Sequence, residues 1–284
     1  MRGEFVDLGG VRLYCYAFGQ RGAGHPIVLV HGSFTSSRLW QDVLPRLPKG
    51  HRVLVLDLLG HGRSDPPGTA SMTVAGHAGR VSQLLDIMGV QEAVLVGHGM
   101  GAAIAARVAH EQPDRIAQLM LVNPALLTNT PRDAFLTRRI SRMAALVPLW
   151  KRLSPAWMAS ALHAALLPCF AHRDVGARSL DVYLKPYMLR PGRDAACAQL
   201  KALGSSRLDT MEALAPNAIR CETSLVLGSA DPFLKEARTR RLSAALETAT
   251  ERALVVHVLP GVAHVAPEEA PDRLGTLVGE LLAR

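Results

Sequence analysis

The chain has 284 residues, 49% of them hydrophobic, which is enough apolar material for a sizeable core and excludes a disordered or low-complexity chain. The formal net charge of +8 comes without a basic run, an aromatic platform or a zinc-finger spacing, so no nucleic acid is expected as a partner. Four scattered cysteines with no C-x-x-C pair exclude a disulfide framework; without an apolar leader or about 18 uncharged apolar residues in a row, the chain is expected to be soluble and cytoplasmic, with no transmembrane segment.

In chain order, residues 4–17 alternate apolar and polar around Gly9-Gly10, the pattern of a hairpin. The runs IVLV (27–30), VLVL (53–56), AVLV (93–96), LMLV (119–122), SLVL (224–227) and ALVVHV (253–258) are short and apolar throughout, as strands buried on both faces of a parallel sheet require. Helical spacing separates them at 38–47, 73–88, 100–112, 235–247 and 271–283. The alternation predicts an α/β fold, a doubly wound and mostly parallel sheet whose ligand sits at the carboxyl ends of the strands. Between Pro124 and Pro216 the strand pattern stops, and apolar positions recur at helical spacing with frequent prolines. The expected organisation is a core from 1–124, an all-helical cap from 125–217 and a second part of the core from 218–284.

After AVLV comes Gly97-His98-Gly99-Met100-Gly101, then a helix of small residues, AAIAARVAH. A strand turning sharply into a helix needs little side-chain bulk around the turn, and Gly97, Gly101, Ala102 and Ala103 supply that. Here the chain resembles the α/β-hydrolase superfamily, whose G-x-S-x-G elbow would fall on residues 97–101, with Gly99 where that family carries its nucleophilic serine. His31-Gly32-Ser33-Phe34-Thr35-Ser36-Ser37 with Trp40 is similar to the HGxxTSSxxW loop of epoxide hydrolases, dehalogenases and carbon–carbon bond hydrolases. Asp57 to Asp65 resembles the same family's D-x-x-G-x-G-x-S stretch and reads as loop bracing.

The resemblance implies an eight-stranded-type sheet and assigns roles. Asp231, in Gly228-Ser229-Ala230-Asp231, and His264, in Gly261-Val262-Ala263-His264, would be the acid and base that follow the nucleophile in chain order. Asp231 would orient His264 and stabilise its protonated form. The N–H of Met100 and one from Ser33 or Phe34 would form the oxyanion hole. Ser33 is also weighed as a surrogate nucleophile. His98 and His31 read as structural in the elbow and loop geometry, although His98, Trp40, Trp150, Trp157 and Tyr187 are carried as candidate substrate-binding residues. No metal spacing and no phosphate loop is present, so neither a metal nor a cofactor is expected.

Three readings of Gly99 stay open: a hydrolase altered at its nucleophile, an enzyme in which His264 and Asp231 act as a general base without a covalent intermediate, including lyase or cyclase chemistry, and a silent pseudo-hydrolase that binds a ligand or partner. The expected substrate is an ester, thioester or other carbonyl compound with an apolar acyl or aromatic group. Residues 131–217 hold thirteen Lys and Arg against six Asp and Glu, which makes an acidic carrier protein a possible partner of the cap.

Overall fold

In the computed structural model, residues 3–19, 24–124, 154–205, 214–234 and 236–284 are described. Strands β1 (Gly3–Asp7) and β2 (Arg12–Phe18) form an antiparallel hairpin, its turn carried by Gly9 and Gly10 at φ 74° and 133°. β2 pairs antiparallel with β4 (Val53–Leu56), and from there the sheet is parallel through β3 (Ile27–Val30), β5 (Ala93–His98), β6 (Ile116–Val122), β7 (Glu222–Gly228) and β8 (Val255–Leu259). The strand order is β1-β2-β4-β3-β5-β6-β7-β8, an eight-stranded sheet as expected. The all-apolar runs are the reason: β3 and β4 are buried along their whole length, as strands covered on both faces must be.

Helix α1 (Val74–Ile87) starts at Thr73, whose hydroxyl accepts from the Gly76 N–H, and packs against α2 (Met100–Glu111), which lies on β5 and β6. Between β6 and β7 the described residues form α3 (Pro155–Leu166), α4 (Arg173–Leu184) and α5 (Arg190–Ser205), with no strand among them. Ser154 caps α3 and Pro155 occupies its first position, where a missing N–H costs nothing. Helices α6 (Glu236–Ala249), α7 (Ala266–Glu269) and α8 (Pro271–Leu282) complete the chain. No helix among the described residues is long and apolar enough to cross a membrane.

Two expectations are corrected. The helix expected over 38–47 is two separate 3-10 turns, Ser37–Trp40 and Leu44–Arg46. Pro45 cannot donate to a helical ladder, and burial of Leu39, Trp40 and Val43 outweighs helical spacing. The last strand begins at Val255 rather than 253 and is not buried on both faces: Val256 and Val258 are exposed, because β8 is an edge strand with one face that no described residue covers.

The parallel register places Val30 beside Gly97, Gly97 beside Leu121, Val122 beside Val226, and Gly228 beside Leu259. Residues 31–34, 99–101, 123, 229–231 and 260–264 therefore follow the strand ends along a single edge. That edge is where an open α/β sheet puts its ligands.

Candidate active site

The elbow is built by three glycines under unequal constraint. A Cβ on Gly97 would lie 2.2 Å from the Gly101 carbonyl oxygen, and one on Gly101 would lie 2.3 Å from that of Val30. Neither position admits a side chain. Gly99 differs, because its Cβ would meet nothing closer than His264 Nε2 at 3.4 Å, with the Gly32 Cα at 3.6 Å. Its backbone, at φ 58° and ψ −117°, lies in a region that strains any other residue by about 1–3 kcal/mol. A side chain would fit here in ordinary van der Waals contact with His264, and conformation is what favours glycine.

Asp231 and His264 meet at the ends of β7 and β8. His264 Nδ1 donates to Asp231 Oδ2 at 2.7 Å, and Asp231 Oδ1 accepts the Phe233 N–H at 2.7 Å. The carboxylate is fully buried and the imidazole nearly so. With Nδ1 turned to Asp231, the ring's other nitrogen, Nε2, points to the place a Gly99 side chain would occupy. The Phe233 ring stands edge-on to the imidazole, 4.7 Å between centroids, and excludes water from that face.

The loop holding His264 is fixed from several directions. Asn123, buried at the end of β6, donates through Nδ2 to the carbonyls of Ala263 and His264, both at 2.8 Å, and accepts the Gly228 N–H at 2.7 Å. One carboxamide thus joins the ends of β6 and β7 to the histidine loop. His98 Nε2 donates to the same His264 carbonyl at 2.8 Å. The His264 N–H reaches the Cys169 carbonyl at 2.9 Å, and Glu269 accepts the N–H groups of Ala263 and Ala171, so the inserted helices share this anchorage. Burial lowers the His98 imidazole to about 3, so it stays neutral beside His264.

Across the site, His31 is a loop brace. Its Nε2 accepts the Leu58 N–H at 2.9 Å and its Nδ1 donates to the Gly32 carbonyl at 2.8 Å, while burial lowers it to about 4. Asp57 likewise braces, its two oxygens accepting the N–H groups of Ser37 and Arg63. Ser33 Oγ donates to Met100 Sδ at 3.3 Å, so its hydroxyl faces the elbow methionine rather than His264. Phe34 adopts a left-handed φ of 57°, and its N–H donates to Gln199 Oε1 at 3.2 Å. Of the two loop N–H groups expected in an oxyanion hole, that of Phe34 is therefore engaged by Gln199. The Met100 N–H is at the first position of α2, where no intrahelical acceptor exists.

The expected substrate-binding aromatics do not gather at this edge. Trp40 is fully buried in the core, because the chain turns there into the apolar layer beneath the sheet end. Trp157 is 67% exposed on the first turn of α3, and Trp150 lies outside the described residues. His98 is buried and committed to a backbone carbonyl, so it is structural. Among the described ones Tyr187 comes nearest, its ring edge-on to Phe34 at 6.0 Å and its hydroxyl accepting from Gln199. Asn123 and Gln199 were not expected. A polar amide directly after the apolar run of β6 was a legible signal for Asn123, whereas nothing around Gln199 marked it. No metal-binding cluster of His, Cys, Asp or Glu occurs among the described residues.

A family model described as alpha/beta hydrolase fold matches residues 25–270. Haloalkane dehalogenase 1 of Mycobacterium bovis is 36% identical over 128 residues, 43% of this chain and 43% of that protein, so the match spans less than half of the relative's length. Among solved structures, Cfl2 of Burkholderia cenocepacia superposes with a TM-score of 0.81 at 23% identity, over 99% of this chain and 95% of the other. The enol-lactonase of Burkholderia xenovorans LB400 gives 0.77 at 22% identity, over 99% and 100%. Elbow, acid and histidine in this order on this sheet, together with a family match over most of the chain, place the protein in the alpha/beta hydrolase fold family.

Proposed function

We propose that the protein hydrolyses an ester, thioester or related carbonyl compound bearing an apolar group, using Asp231-oriented His264 as a general base and no covalent intermediate. The observation that carries this reading is the 3.4 Å separation between His264 Nε2 and the place a Gly99 Cβ would occupy, with the Asp231–His264 hydrogen bond intact at 2.7 Å. A water lodged in that space would lose a proton to Nε2 as its oxygen bonds to the substrate carbonyl carbon. The tetrahedral oxyanion would be held by the N–H groups of Met100 and Ser33. On collapse the bond to the alcohol or thiol breaks, and the leaving group takes the proton back from His264.

In this reading 125–217 acts as a cap over the strand ends, and the apolar contacts of Phe233 and Tyr187 favour an acyl or aromatic substrate group. Exposed Arg173, Arg178, Lys185 and Lys201 on the inserted helices make an acidic acyl carrier part of the proposal, and salt-independent turnover of a carrier-bound thioester would remove it. The test is to assay the Gly99 protein and a Gly99→Ser variant against p-nitrophenyl acyl esters and acyl thioesters, with His264→Ala as control. Turnover by the Gly99 form without a burst and without an acylated protein by mass spectrometry is the expected result. Activity confined to Gly99→Ser would mean a hydrolase altered at its nucleophile, and activity in neither form a binding protein.

A further inference from the structure

Gln199 projects from α5 and is only 3% exposed, yet each polar atom of its carboxamide is used. Oε1 accepts the Phe34 N–H at 3.2 Å, and Nε2 donates to the Gly60 carbonyl at 3.1 Å and to the Tyr187 hydroxyl at 3.0 Å. These contacts join an inserted helix to two separate loops of the sheet, one carrying Ser33 and Phe34 after β3, the other carrying Gly60 after β4. Burying a primary amide is unfavourable unless all of its groups are paired, and here they are.

What the amide holds is itself strained. Phe34 sits at φ 57°, a left-handed backbone that a bulky residue rarely adopts and that persists only when its surroundings impose it. Those surroundings are the Gln199 hydrogen bond on its N–H and the Tyr187 ring on its side chain, both from the inserted helices. Ser33 shares a peptide unit with Phe34, so relaxation of Phe34 rotates the carbonyl of Ser33 and shifts the loop that lies against Met100.

We infer that Gln199 is a positioning residue: through it the inserted helix α5 keeps the loop of Ser33 and Phe34 in its left-handed turn, so that the oxyanion donors are assembled only when that helix is seated. The inference rests on the hydrolytic reading above for its kinetic consequence, but not for its structural one. Gln199 touches no reacting atom, and its loss should therefore lower kcat with little change in KM.

The experiment pairs kinetics with hydrogen exchange at the Phe34 amide, followed by NMR in the intact protein. Gln199→Met keeps the volume and removes the hydrogen bonds; Gln199→Glu, neutral when buried, keeps one acceptor for Phe34 and one donor for Gly60. Expected for Gln199→Met is exchange at Phe34 at least about tenfold faster and kcat about tenfold or more lower, with Gln199→Glu restoring most of both. Unchanged exchange overturns the assignment. So does faster exchange with a higher kcat, which would make the amide oxygen a competitor of the substrate rather than a brace. If no form turns over substrate, even with Gly99→Ser, the hydrolytic reading falls, and exchange at Phe34 alone decides the role of Gln199.

Discussion

The two sides of the candidate site are held in opposite ways. On the acid–histidine side nearly every group has a partner: Asp231 on Phe233 and His264, and the His264 carbonyl on both Asn123 and His98. On the elbow side, Gly97 and Gly101 are compulsory because backbone carbonyls occupy the space of a side chain, while Gly99 between them has room and bears nothing. The acid–histidine geometry is thus over-determined, while the elbow position facing it carries no side chain. That asymmetry is what supports the proposed general-base role of His264, since its hydrogen bond to Asp231 fixes the ring while nothing among the described residues competes for its other nitrogen on the elbow side.

The comparison can be broken most directly at its strong side. His264→Ala should lower activity on the order of 10³-fold with the native substrate, measured as kcat/KM, and full activity in this variant would remove the general-base reading. On the elbow side Gly101→Ala should destabilise the fold by about 3 kcal/mol or more, read from denaturant midpoints, because the carbonyls of Val30 and His31 cannot withdraw without distorting β3. Asn123→Ala should cost roughly 1–3 kcal/mol by stranding the Gly228 N–H, and should also lower kcat as the histidine loop loosens.

A pH titration sharpens the same contrast. His31 and His61, lowered by burial to about 4 and about 3, are neutral in the fold, while the unfolded chain takes up protons below its ordinary histidine value. Their depressed values mean stability is fully present above roughly pH 6.5 and is lost as pH falls toward 4, which thermal melts across that window would reveal. The smallest effect is expected at the permissive glycine. Gly99→Ser should cost about 1 kcal/mol, since backbone strain is partly offset by the reduced freedom of the unfolded chain. If Gly99→Ser proved as disruptive as Gly101→Ala, the distinction between the glycines would be wrong.

The strand segments, the mostly parallel sheet and the elbow were legible in the sequence, and the partnership of Asp231 with His264 followed from the family resemblance. The first three rest on local signals, uninterrupted apolar runs and glycines on either side of a strand end, and the pairing rests on an acid and a histidine matching the family's motifs after two strands. Of the residues that hold the site, His31, His98 and Asp57 were legible as braces, and Gln199 was not. Gln199 lies 165 positions from the Phe34 N–H it accepts, and no periodicity links a carboxamide on one helix to a backbone amide in a distant loop. Trp40 was carried to the site with the loop it belongs to, and Trp157 because aromatic residues suit apolar ligands, yet one fills the core and the other faces solvent. Sequence alone determined what depends on neighbours along the chain, namely which segments are strands and where they turn. Only the tertiary structure decided which buried polar groups meet, because hydrogen-bond partners across a sheet edge are chosen by packing rather than by spacing.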